Sequence, residues 1–261
     1  MIYAGDIGYT DLLSQNGHTV TRIVTSSTPD VGLLNTFDLV VVSRAVSSGN
    51  YNNGDPSAAW NSVTAPTIVM SGYTLRANRL NYTDSSSMVD TAGPISLAVN
   101  NPSHPIFAGI TLDVDNTVPY SVGLVNANAF TEVDGKKIWT EVLQRGVSVN
   151  IPADAVGGGT VLATVATAED PTVGGLIIGE WAAGSVLGNG DVLGGDRVVF
   201  LSGSREANGF TGGQAAGIID LTAEGQVMFL NAVDHLTVPE PSSLALIIPG
   251  LSLLVWRFRR R

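Results

Sequence analysis

The chain has 261 residues, 44% of them apolar and 14% charged, with 30 glycines and no cysteine. This composition excludes intrinsic disorder, and the missing thiols exclude disulfides, thiolate metal sites and cysteine nucleophiles. The net charge of −10 hides an asymmetry: four of the 13 cations close the C-terminus, leaving nine against 22 acids before Pro239, a balance that argues against nucleic-acid binding.

Residues 1–20 contain neither a basic stretch nor a long apolar run, so no export signal is legible there. A short helix is expected from Thr10, as N-cap, to a stop at Asn16-Gly17. Val20 to Val24 reads as a weak strand. Leu39 to Val42 and Ile68 to Met70 are unbroken apolar runs, the pattern of strands covered on both faces. Between them, Asp55 as N-cap and Pro56 at the first helical position open a helix running through Trp60.

From about residue 113 to 195 the chain changes character. Glycine, Asp and Asn are frequent, and alternating pieces such as Thr160 to Thr167 and Leu176 to Trp181 point to a β-rich antiparallel insertion on the sheet's edge. Val198 to Leu201 is another buried-strand run, and Thr222 then caps a helix with Met228, Phe229, Ala232, Val233 and Leu236 on one face. The fold class expected is α/β: a doubly wound, mostly parallel sheet in a three-layer sandwich with a β-rich insertion.

Three of the strands end in serine: Ser43 before Arg44, Ser71 before Gly72, and Ser202 before Gly203-Ser204-Arg205. Ligands of doubly wound folds sit beyond the carboxyl ends of strands, so these serines can converge on one crevice with Arg44 and Arg205 as anion anchors. Serine and glycine are also ordinary strand-to-loop punctuation. A nucleophilic serine needs a base, and the chain has three histidines. His18 sits on a turn, His235 ends the last helix, and His104 enters a Pro105 turn closed by Gly109, with no acid in the local motif to orient it. Ser71 with His104 is the catalytic pair that can be drawn; a packing turn is the plainer reading of His104.

No metal or cofactor is expected. Asp113 and Asp115 share a strand face and Asn189-Gly190-Asp191 forms a turn, but a full Ca²⁺ loop signature is absent and solvated acidic turns account for both. Gly157-Gly158-Gly159 follows no strand and opens no helix, so it reads as a linker and not a phosphate cradle.

The chain closes with VPEPSSLALIIPGLSLLVWRFRRR. Pro239 and Pro241 hold the backbone around Glu240 extended, separating body from tail. Leu244 to Trp256 carries no charge. As a helix it spans roughly 20 Å against a hydrocarbon core of about 30 Å; Ser242 to Phe258 adds about a turn if the arginines snorkel. Arg257, Arg259, Arg260 and Arg261 favour a membrane segment with its C-terminus in the cytoplasm, whereas a terminal core helix would need a polar face.

Pro-Glu-Pro, apolar helix and arginine cluster, in that order, resemble the PEP-CTERM sorting signal of Gram-negative bacteria. The resemblance implies Pro239, Glu240 and Pro241 as the sorting motif, Leu244 to Val255 as the membrane segment and the four arginines as retention charges. It further implies export, recognition by an exosortase, transient residence in the inner membrane, and a final place at the cell surface or in extracellular matrix. An exported chain needs an entry signal, so the natural start is expected upstream of Met1, with a signal peptide and a first strand.

The body resembles, through "NGHTVTRI", "FDLVVVSR", "APTIVMSG", "HPIFAGI", "RVVFLSGS" and "LTAEGQVMFLNAVDHL", the class I glutamine amidotransferase-like, flavodoxin-like sandwich over residues 1–110 and 195–236. That family places a nucleophilic cysteine on the turn where this chain has Ser71, so the resemblance brings the fold without the thiol. The organisation expected is a body over 1–236, a Pro-Glu-Pro linker over 237–243, and a transmembrane helix with basic tail over 244–261. The function expected is a non-catalytic binding or structural domain, with extracellular polysaccharide as a partner; the alternative is a surface hydrolase using Ser71.

Overall fold

The computed structural model describes residues 6–91, 93–122, 130–133, 136–139, 146–151, 154–167, 172–203 and 217–237. The helices are α1 (Ile7–Gln15), α2 (Val31–Leu34), α3 (Asp55–Asn61), α4 (Gly72–Leu75) and α5 (Ala223–Thr237). The strands begin with β1 (Val40–Val42), β2 (Thr67–Val69), β3 (Val89–Asp90), β4 (Ile95–Val99), β5 (Thr117–Ser121) and β6 (Phe130–Val133). They continue with β7 (Lys136–Trp139), β8 (Ser148–Val149), β9 (Thr160–Val165), β10 (Leu176–Trp181) and β11 (Arg197–Phe200).

Seven strands form one sheet in the order β1-β2-β11-β10-β9-β4-β5. β1, β2 and β11 run parallel, with Val41 opposite Ile68 and Val198 opposite Ile68 on its other side. The remaining four pairings in this sheet are antiparallel. The sheet is therefore mixed, and the expectation of a mostly parallel one is corrected. A parallel partner requires a long crossover, usually helical, and the segments joining β9 to β10 and β10 to β11 carry no described helix. The strands read as an edge insertion, β9 and β10, lie in the middle of the sheet between β11 and β4.

The unbroken apolar runs do what such runs predict: every residue of β2 and β11 is buried. β4 alternates instead, with Ile95, Leu97 and Val99 buried and Ser96 and Ala98 less so. Helices cover both faces. Phe200 packs its ring 5.5 Å from Phe229 of α5, and Tyr9 of α1 meets Phe229 at 5.4 Å. On the opposite face Trp60 of α3 packs 4.8 Å from Tyr51 of the preceding 3-10 turn, and Tyr82 stacks on Trp181 at 5.2 Å.

Two polar clamps lock the second face. Arg197, 1% exposed at the start of β11, donates to the carbonyls of Asn61, Val63 and Ala65, so the guanidinium ties β11 to the C-terminal end of α3 and the segment beyond it. The Asp191 carboxylate accepts from Ser57 Oγ at 2.8 Å, Asn61 Nδ2 at 2.9 Å and Asn189 Nδ2 at 2.8 Å. Its oxygen is thus spent on structure. Gly159 is held against Trp181, where a Cβ would fall 2.1 Å from the indole.

Local signals fare unevenly. Thr222 Oγ1 accepts from Gly225 N at 3.1 Å, capping α5 as expected. α1 stops at Gln15, with Asn16 as C-cap and Gly17, whose φ of 90° suits glycine, just beyond, yet it starts earlier than expected, at Ile7. α3 begins at Asp55, with Gly54 at the N-cap and Ser57 Oγ accepting from its amide. Val20 to Val24 forms no strand: Val24 is 89% exposed, and Arg22 turns toward α1 to bond Thr10 and Asp6. Among the described residues no helix is long and apolar enough to cross a membrane; the expected transmembrane helix lies outside them.

Candidate functional site

Because β1, β2 and β11 are neighbours, Ser43, Ser71 and Ser202 follow three adjacent parallel strands at their carboxyl ends. Each serine is held differently. Ser43 Oγ accepts from Ala45 N at 3.0 Å, closing a local turn. Ser71 opens α4, is fully buried, and its Oγ has no hydrogen-bond partner among the described residues. Behind it, Gly72 is obligatory, since a Cβ there would fall 2.4 Å from the Ser148 carbonyl oxygen. Ser202 is buried beside the phenols of Tyr9 and Tyr120.

Cations gather at the same end. Arg44, 6% exposed, stacks its guanidinium 5.1 Å from the Tyr73 ring centroid, and Arg76 meets that ring at 5.3 Å. Arg76 also donates to the Tyr73 carbonyl at 3.0 Å and to Ser48 Oγ at 3.4 Å. Burial, with Arg79 nearby, lowers the Arg76 pKa from its ordinary value. Asp220, 1% exposed, accepts from Gly203 N at 2.8 Å and from Tyr9 at 3.4 Å. Burial and then the Asp220 charge push both Tyr9 and Tyr120 well above the usual phenol range. Arg205 lies outside the described residues. Tyr73, Arg76 and Asp220 were not singled out in the sequence; the first two follow Ser71 closely, which is the one signal that pointed to them.

His104 is elsewhere. Its Nε2 lies 3.1 Å from Glu180 Oε2, and Glu180 is registered opposite Val198, which is level with Ile68. Ser71 stands three residues beyond Ile68, about 10 Å farther along the strand direction and two strands over. The structure does not bring Ser71 and His104 together.

What it assembles around His104 is a second constellation. His235, in the last turn of α5, places Nε2 3.6 Å from the same Glu180 oxygen, and the two imidazoles meet edge to face at 4.9 Å. His104 Nδ1 accepts from Ile106 N at 3.3 Å. The hydrogen bond from His235, reinforced by His104, holds the Glu180 carboxyl below its ordinary range against the opposing effect of burial. Glu180 and His235 line an open cleft of about 520 Å³ together with Thr160, Trp181 and Asp196. Sequence reasoning placed His104 in a packing turn and His235 at a helix end, and it overlooked Glu180.

The acidic turns are structural. Asp113 accepts from Thr117 Oγ1, Thr117 N and Asp115 N, with the Thr117 hydroxyl the main cause of its lowered pKa.

The sorting motif Pro239-Glu240-Pro241 and the four terminal arginines lie outside the described residues. No curated protein sequence matches the chain. Among solved structures it is similar to two cytoplasmic proteins of Salmonella typhimurium. One has 11% identity and a TM-score of 0.45, covering 87% of this chain and 84% of the other. The second has 12% identity and a TM-score of 0.48, covering 89% and 87%. A ThuA-like protein from Bacteroides uniformis gives 12% identity and a TM-score of 0.46, covering 90% and 83%. Likenesses of that degree carry nothing about chemistry. Residues 237–261 match the PEP-CTERM protein-sorting motif, so the chain ends in the signal that marks an exported protein for sorting by an exosortase.

Proposed function

We propose that this protein is presented at the cell surface or in extracellular matrix, and that its body is a non-catalytic binding domain for a saccharide carrying a carboxylate. In this reading Leu244 to Val255 cross the inner membrane until the exosortase acts at Pro239-Glu240-Pro241, with the four arginines retained in the cytoplasm. The body then takes its ligand beyond the carboxyl ends of β1, β2 and β11.

The observation that carries the binding reading is the pair of guanidiniums, Arg44 and Arg76, on the ring of Tyr73 in α4, the helix that Ser71 opens. Two cations at one strand end stand out in a chain whose net charge is −10. That overall charge opposes a dense polyanion, but beyond a Debye length of about 8 Å it is largely screened. A single uronate unit therefore suits the site better than a continuous acidic polymer. The partly exposed Tyr73 supplies an apolar edge for a sugar.

The alternative, a surface hydrolase using Ser71, is favoured by that hydroxyl's place on a strand-to-helix turn. It is disfavoured because no base bonds Ser71 among the described residues and His104 is committed to Glu180. A serine-reactive fluorophosphonate probe decides between them. Binding without catalysis predicts no labelling; labelling abolished by Ser71→Ala establishes the hydrolase. The sorting reading predicts that replacing Glu240 or deleting the four arginines leaves the protein mis-sorted in a host with an exosortase; unchanged display of both variants contradicts it.

A further inference from the structure

We propose that His104, Glu180 and His235 form a Zn²⁺ site whose fourth position opens into the cleft beside β10. The inference rests on how closely three groups from distant parts of the chain already match a metal's first shell. His104 enters the 3-10 turn Pro105–Phe107, Glu180 stands on β10, and His235 closes α5.

Zn²⁺ binds imidazole nitrogen at about 2.0–2.1 Å and carboxylate oxygen at about 2.0–2.2 Å, so tetrahedral ligands sit roughly 3.3–3.4 Å apart. The two nitrogen-to-oxygen separations, 3.1 and 3.6 Å, bracket that edge. All three ligand atoms lie within 4.8 Å of one another, so small side-chain shifts close the remaining gaps. Two neutral imidazoles and one carboxylate are a donor set suited to Zn²⁺, with three protein ligands and an exchangeable fourth position. The acidic body raises the local cation concentration, and Asp196 lines the same cleft.

One contact resists the ion. Ile106 N donates to His104 Nδ1, which places the imidazole proton on Nε2 and aims it at Glu180. Coordination through Nε2 needs the other tautomer, with the proton on Nδ1. At 3.3 Å the Ile106 contact is long, and a small turn of the ring about Cβ–Cγ releases it. The metal therefore takes the place of the Nε2 protons that His104 and His235 direct at Glu180, each imidazole then carrying its proton on Nδ1.

The test uses the full chain without a histidine tag, in mild detergent, stripped with chelator and titrated with Zn²⁺ by calorimetry. Co²⁺ then serves as the spectroscopic probe. The expected result is one Zn²⁺ per chain, and an intense visible Co²⁺ band of four-coordinate character that shifts when azide is added. His235→Ala and Glu180→Gln should each weaken Zn²⁺ binding at least tenfold, while Asp113→Asn leaves it unchanged. Absent saturable uptake, or uptake that survives Glu180→Gln undiminished, overturns the site. Should His235→Ala fail to give the wild-type circular dichroism spectrum, the near-isosteric Glu180→Gln carries the decision.

Discussion

The guanidinium of Arg44 lies 5.1 Å from the centre of the Tyr73 ring, and Arg76 approaches the same ring at 5.3 Å. One aromatic face system thus positions two cations whose charges would otherwise repel. Each partly buried cation–π contact is worth about 1–2 kcal/mol. Tyr73→Leu should therefore free Arg76 from its position and weaken uronate binding by about 5- to 30-fold, read by calorimetry. Unchanged affinity in that variant would remove Tyr73 from the site.

Ser71 offers a stability test of function. A buried hydroxyl with no partner among the described residues costs free energy, so Ser71→Ala should leave stability unchanged or raise it by about 1 kcal/mol in urea unfolding. A loss of stability would mean that the hydroxyl is bonded after all.

Arg197 should be among the most sensitive positions outside the apolar core. Arg197→Met keeps the volume but strips the guanidinium bonds from the Asn61, Val63 and Ala65 carbonyls, of which Asn61 keeps Gly194 N and Ala65 keeps Thr67 Oγ1 as donors. We expect a loss of about 2–4 kcal/mol in chemical denaturation. Gly159→Ala, which drives a methyl into Trp181, should cost about 1–3 kcal/mol and shift tryptophan fluorescence.

The acid limb of stability should carry the signature of Glu180. Its folded pKa is depressed, so its contribution is complete above the ordinary carboxylate value and is lost as pH falls through the lower folded value. Unfolding of wild type and Glu180→Gln, followed from pH 6 downward, should show a difference that closes below about pH 4. A difference that widens on acidification has the wrong sign for this account.

Much of the parallel half of the fold was legible because its signals are local. Ile68 and Val198 sit in unbroken apolar runs, and Thr222 with the stripe from Met228 to Leu236 announces α5 by itself. Val20 to Val24 misled because a β-branched composition does not supply a partner, and this segment has no strand partner among the described residues. The antiparallel half was misplaced for a related reason: the composition of β9 and β10 reports strand, whereas strand order is a tertiary property. The serine crevice could be drawn once three parallel strands were assumed. The His104–Glu180 contact could not, since 76 residues separate the pair and nothing near either names the other.

The central claim is that the body binds an acidic saccharide and does no chemistry on it. Calorimetric titration of the full chain with glucuronate, and with glucose as the uncharged counterpart, tests it most directly. We predict saturable binding of glucuronate, at least tenfold tighter than glucose, weakened by salt and by Arg76→Ala, with the sugar recovered intact. Equal affinity for the two sugars, or no binding of either, contradicts the account.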